Sequence, residues 1–275
     1  MKFIGHKEQK SILAIIGAPW ESKEVFRPGV SKAPQKIREA SDSIEEYSVF
    51  SQAKLPSFND YGDIPLDNCT PEKMIERAGD IISELIENEH RILLIGGDHT
   101  VSYPSILSHS KYYPNLKIIH LDAHTDRYKE YLGSKYAYAT VIHNVSEIVG
   151  NENIYSFGIR EMGDIEETSD ANIFNFEVVK FLHDLLDKIN DYPIYLTFDC
   201  DVLSPSIFPG VTNPVPSGIS FNEILRVFKI LSPYIVGADI VECNPLVDKS
   251  GNSEIMASII VRELLINWGK FADIT

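Results

Sequence analysis

Six short runs of almost unbroken apolar residues divide the chain. They are SILAIIGAP (11–19), RILLIGGDH (91–99), LKIIHLDAH (116–124), NIYSFGIR (153–160), PIYLTFDCD (193–201) and YIVGADIVE (234–242). A strand that shows one face to water alternates apolar and polar residues, whereas a strand covered on both faces does not. Helical spacing fills the gaps. Ile75, Ala78, Ile82 and Leu85 recur at three and four residues within 71–89, behind Thr70 as N-cap and Pro71 at the first helical position. Val178, Leu182, Leu185 and Ile189 do the same within 176–190, and Ser220 with Glu223 form a capping box before ILRVFKIL. Strand–helix alternation predicts an α/β fold, a mostly parallel sheet flanked by helices. No linker, repeat or low-complexity tract interrupts it, so the chain reads as one domain over 1–275. SPSIFPGVTNPVPSG (204–218) is long for a connection, and long ordered loops are often functional.

Charge narrows the function classes. The formal net charge is -15, which disfavours nucleic acid as a partner and suits a small cation. No stretch reaches the 18 or so apolar residues of a membrane span. The N-terminal apolar run is too short for a secretion signal and reads as a first strand, so a cytoplasmic protein is expected. Cys69, Cys200 and Cys243 make no CxxC pair, and Cys200 and Cys243 read as core thiols.

Three of the apolar runs end in groups that bind metals or carry protons: Asp98 and His99; Asp122, His124 and Asp126; Asp199 and Asp201. Ligands of open α/β sheets bind beyond the carboxyl ends of the strands. With a side-chain period of two, Asp122, His124 and Asp126 would share one side and Ala123 and Cys200 would point away. Clustered carboxylates need counter-charge, which divalent cations supply most simply. Mixed carboxylate and imidazole ligands suit manganese, iron, zinc, cobalt or nickel. Two such ions roughly 3.5 Å apart can share and acidify a water. His120, two residues before Asp122, reads as a buried hydrogen-bonded histidine.

GGDHT, DAHTD and FDCDVLSPSIFPG resemble the three blocks of the ureohydrolases, which include arginase, agmatinase and formimidoylglutamase. The similarity extends to FRPGVSKAPQKIREAS (26–41) and DIVECNPLVD (239–248), and DAHTDRYKEYLGSKY is most like the shorter microbial agmatinases. The resemblance implies an arginase/deacetylase-like three-layer fold and two Mn2+ per subunit. His99, Asp122, Asp126 and Asp199 would bind one ion; His124 and Asp201, with the bridging Asp122 and Asp199, would bind the other. Glu242 would hold the substrate guanidinium, and Asp126 would pass a proton to the leaving amine. Asp98 would support the first ligand. Relatives form trimers and hexamers, so a homo-oligomer is expected.

The chain departs from the family pattern at several positions. Tyr138, in AYAT (137–140), stands where a histidine is usual; His143 could stand in for it or be an ordinary structural histidine. Asn213 replaces a threonine near the substrate entrance, and Ser204 replaces an aspartate. Glu242, Asn213, Tyr138 and His143 are therefore the candidate substrate contacts. Arg127, Lys129, Glu130 and Lys135 read as a solvated charge run, although a basic group turned into the pocket would favour a carboxylate-bearing substrate. Agmatine is the leading substrate; guanidinobutyrate, arginine and formiminoglutamate, or a catalytically idle metal-binding scaffold, are the alternatives.

Overall fold

The computed structural model describes residues 1–7, 11–23, 26–163 and 171–271. Its sheet is built from β1 (Leu13–Ala18), β4 (Asn59–Asp63), β5 (Arg91–Gly96), β6 (Lys117–Leu121), β7 (Ile154–Ile159), β8 (Asn172–Asn175), β9 (Ile194–Asp199) and β10 (Ile235–Val241). The order across the sheet is β4-β1-β5-β10-β9-β6-β7-β8. Every pairing in it is parallel. A separate two-stranded antiparallel ribbon joins β2 (Tyr47–Ser48) to β3 (Ala53–Lys54).

Helices cover both faces, which gives three layers and accounts for the unbroken apolar runs. On β5, Leu93 and Ile95 pack into one cluster while Ile92 and Leu94 pack into the opposite one. The first face takes α1 (Ala33–Ser41), α5 (Val179–Ile189), α6 (Phe221–Leu231) and α7 (Asn252–Gly269) through Ile37, Leu182, Ile224 and Leu264. The second takes α2 (Pro71–Glu87), α3 (Ser102–Tyr112) and α4 (Val141–Val149) through Ile82, Ile106 and Ile142. Each such buried aliphatic side chain contributes about 1.5–3 kcal/mol relative to exposure. Thr70 accepts from the Lys73 N–H at 3.4 Å, and the Ser220–Glu223 capping box forms. Cys200 and Cys243 are buried free thiols.

Three strands stop two or three residues before the end of their apolar runs. β5 stops at Gly96, β6 at Leu121 and β9 at Asp199. The residues beyond them leave the pleat, so alternation does not carry Asp122, His124 and Asp126 to a common side. Loop geometry does so instead: Asp126 takes φ 48°, and Cys200–Val202 form a 3-10 turn capped by Asp199.

Among the described residues, no helix is long and apolar enough to cross a membrane.

Candidate metal centre

The central strands β5, β10, β9 and β6 are neighbours, and their carboxyl ends deliver His99, Glu242, Asp199 with Asp201, and Asp122 to one place. The register sets Val241 beside Asp199 and Leu121 beside Phe198. Side chains emerging one or two residues later therefore face one another. Gly97, just before Asp98 and His99, passes so close to Trp20 that a Cβ there would strike the Trp20 backbone. Gly97 also accepts the Glu242 N–H at 2.9 Å.

His99 is fully buried, and its tautomer follows from its neighbours. The Thr197 hydroxyl donates to Asp239 Oδ1 at 2.7 Å, so at 2.9 Å it must accept from His99 Nε2–H. That leaves Nδ1 to face the site, where it has no hydrogen-bond partner. Carboxylate oxygens of Asp126, Asp122 and Asp199 surround it at 3.1, 3.2 and 3.4 Å. A bare nitrogen lone pair aimed at three carboxylates is repulsive unless a cation lies between them. On the other side, His124 Nδ1 lies 2.8 Å from Asp201 Oδ2 and 3.5 Å from Asp122 Oδ1. Potential ligand atoms of Asp122, His124 and Asp201 fall within 4.8 Å of one another. The donor set of imidazoles and carboxylates thus fits divalent metal binding.

His120 also has a ring nitrogen close to His99 and Asp122, but it has none to spare. Its Nε2 meets Asp122 Oδ2 at 2.8 Å and its Nδ1 meets Ser156 Oγ at 3.0 Å. It is buried and hydrogen-bonded, as expected, and it orients the Asp122 carboxylate. Asp98 accepts from the backbone N–H groups of Ser22 and Thr100 and braces the turn that carries His99. Backbone N–H groups of His124, Ala123 and Asp201 fix one oxygen each of Asp122, Asp201 and Asp199.

Protonation preferences record the crowding of negative charge. Burial, then Asp201 and Asp122, push Asp199 well above the usual carboxylate range. Burial and Asp122 raise Asp126, and burial with Asp98 raises Glu242. Burial opposes the ionisation of Asp122, yet His120, together with His124 and His99, overrides it and holds this carboxylate well below its ordinary value. Burial works against charging His99 and His124, but the surrounding carboxylates raise both.

A cavity of about 180 Å³ opens over this cluster. Its walls include Asp126, Asp199, Asp201, Glu242 and Glu161, three tyrosines (Tyr128, Tyr131, Tyr138) and Asn213. No lysine or arginine is among the described residues that line it. Arg127 instead lies buried with its guanidinium on Asn151 Oδ1 at 2.8 Å. Glu130 and Lys135 border a neighbouring groove. His143 does not line the cavity. Its backbone N–H reaches the Asp126 carbonyl at 3.3 Å, beside that of Ile142 at 2.9 Å, so the start of α4 uses His143 to pin Asp126. Tyr138 and Asn213 do line it.

The Arginase family model matches residues 11–267. The chain belongs to the arginase family. An agmatinase of Bacillus cereus is 36% identical over 272 residues, covering 95% of this chain and 93% of the relative. Arginase 1, mitochondrial, of Arabidopsis thaliana is 30% identical, covering 93% and 80%. The structure of proclavaminate amidino hydrolase from Streptomyces clavuligerus superposes with a TM-score of 0.89 at 26% identity, covering 98% of this chain and 97% of that one. These names span three substrates but one enzyme class, and the present chain is a ureohydrolase of that family.

Sequence reasoning passed over Thr197, Asp239, Tyr128, Tyr131 and Glu161. Asp239 had left a signal, an acid inside the otherwise apolar run YIVGADIVE. The tyrosines were hidden among charged neighbours, and Glu161 follows its strand with nothing local to distinguish it.

Proposed function

We propose that the chain is a binuclear-manganese amidinohydrolase that converts agmatine to putrescine and urea. One observation carries the choice of substrate: beyond the metal-ligand carboxylates, the described lining of the cavity adds two further acids, Glu242 and Glu161, and no cationic side chain. Agmatine is a dication, whereas arginine and guanidinobutyrate bring a carboxylate that this lining would repel. The same reading has the enzyme act in the cytoplasm as a homo-oligomer.

His99, Asp122, Asp126 and Asp199 would hold one ion, and His124, Asp122, Asp199 and Asp201 the other. When bound, such a pair makes a water molecule acidic enough to act as a nucleophile near neutral pH. The chain's own residues do the rest. Glu242, with Oε1 held by the His99 N–H at 2.9 Å, faces the cavity and accepts N–H groups of the planar guanidinium. That contact fixes the guanidinium carbon over the carboxylate cluster. Asp126 is at once beside His99 and on the cavity wall, placed to accept the proton of the attacking water. Its carboxylate can then carry that proton to the leaving amine. Tyr138 is pushed up by burial and by Tyr131, and stays a neutral hydroxyl.

The test is urea release by the manganese-loaded protein from agmatine, arginine, guanidinobutyrate and guanidinopropionate, with a separate formamide assay for formiminoglutamate. Urea from agmatine in clear preference to the carboxylates is expected. A preference for any carboxylate substrate would refute the assignment, and no turnover of any compound would favour a scaffold.

A further inference from the structure

The three tyrosines of the cavity form a continuous wall. The ring centroids of Tyr128 and Tyr131 lie 5.8 Å apart, and Tyr131 meets Tyr138 edge-on at 5.4 Å. The hydroxyls of Tyr131 and Tyr138 are 3.3 Å apart. The backbone of two of the three is held by local hydrogen bonds. Tyr131 opens a tight turn in which its N–H and C=O both pair with Ser134, at 2.8 and 2.9 Å, around Leu132 and Gly133 at φ 49° and 84°. Tyr128 is tied by its N–H to the Ala139 carbonyl at 3.1 Å. Its hydroxyl occupies the space that a Cβ on residue 163 would need, so any larger residue at Gly163 would push Tyr128 aside. Tyr138 and Asn213 stand together on the same lining.

We propose that Tyr128, Tyr131 and Tyr138, with the Glu161 carboxylate on the same lining, form the subsite for the distal ammonium of the substrate and determine its specificity. The inference rests on the guanidine-hydrolase reading above, in which Glu242 takes the guanidinium end. Aromatic faces attract an organic cation through their quadrupole, and the attraction grows where water is displaced. Hydroxyl oxygens on the same wall accept ammonium hydrogens without adding a charge. The wall therefore selects guanidinoalkyl amines over guanidines that end in a methyl group, as well as over guanidino acids.

The experiment compares agmatine with butylguanidine, which keeps the guanidine and the chain but lacks the ammonium. Both kcat and KM are measured for the manganese-loaded full chain and for Tyr128→Leu, Tyr131→Leu and Tyr138→Leu. Each variant should lower the agmatine-to-butylguanidine ratio of kcat/KM by about tenfold, mostly through the KM for agmatine. Gly163→Ala, which displaces Tyr128 without changing any tyrosine, should move the ratio in the same direction. An unchanged ratio, whatever the absolute rates, overturns the proposal. Tyr128 is 37% exposed, so its leucine variant should fold even if the more buried two do not. Calorimetric binding of 1,4-diaminobutane and of butylamine separates the two readings. If the native protein hydrolyses neither guanidine, the hydrolase reading fails. The wall then still stands if the native protein binds the diamine more tightly than butylamine and the variants lose about tenfold of that affinity. It falls if they do not, or if the native protein binds no diamine.

Discussion

Asp126 and Glu242 both hold left-handed backbone, with φ 48° and 60°. Non-glycine residues rarely adopt that conformation, and when they do the surroundings must over-determine it. They do so here: the Asp126 carbonyl takes two N–H groups from the start of α4, and the Glu242 N–H is spent on Gly97. Asparagine tolerates left-handed backbone as well as aspartate does, so Asp126→Asn should fold normally and lose the charge, the proton capacity and a carboxylate ligand at this position. Turnover should fall by about a hundredfold or more, while thermal stability in the presence of chelator should not fall, since one of the crowded buried charges is gone. Near-normal rates would remove the proton role assigned to this residue. His109 supports a second prediction. It is fully buried; its Nδ1 meets the Ser105 carbonyl at 2.8 Å, and its Nε2 has no partner. Burial pushes it down to about 4. The unfolded chain takes up this proton near pH 6.5 and the folded chain does not. The resulting stability is therefore fully present above that pH and is lost as pH falls through 6.5 toward 4, by on the order of 3 kcal/mol. In chelator, His109→Gln should flatten the denaturant midpoint over this window relative to the native chain, and identical pH slopes for the two proteins would refute it.

At the scale of elements, legibility tracked the local signal. The runs that became β1, β5, β6, β7, β9 and β10 were readable because both faces are apolar. The edge strands β4 (NDYGD) and β8 (NIFN) were missed because an edge strand can be short and polar. α7 was missed for the opposite reason: it is buried nearly all round, so no amphipathic period marks it. The metal-ligand candidates were legible as residue types at strand ends, but their convergence depended on turns that alternation could not foresee. The loop at 204–218 hides another device. Arg160 donates to the carbonyls of Gly158, Asp201, Val202, Leu203, Val215 and Pro216. One guanidinium thus ties the end of β7 to the loop and to the backbone of Asp201. A lysine cannot reproduce that planar fork. Arg160→Lys should cost about 1–3 kcal/mol and speed proteolytic cleavage within 204–218. Unaltered stability and cleavage would show that the carbonyls find other donors.

At the scale of the molecule, the fold gathers buried negative charge in one place. Asp98, Asp122, Asp126, Asp199, Asp201 and Glu242 are all buried, and the chain as a whole already carries a net charge of -15. Without cations the cluster must take up protons or tolerate repulsion, and either choice costs stability near neutral pH. Ions that bind the native state and not the unfolded chain should recover it by mass action, about 4 kcal/mol at a thousand times the dissociation constant. For a chain of this size each kcal/mol moves the melting temperature by roughly 2 °C, so manganese should raise Tm by several degrees over the chelator-treated protein. Two imidazoles among the donors should make magnesium and calcium weaker stabilisers than manganese at equal concentration. The six candidate ligands form one unit, so His99→Ala and Asp122→Asn should each abolish most of the shift, whereas Lys129→Ala, exposed on the neighbouring loop, should leave it intact. Because the measurement reads melting and not turnover, it judges the metal centre independently of the substrate. A manganese shift no larger than that of calcium, or one that survives loss of His99, would mean that these carboxylates settle their charge with protons alone.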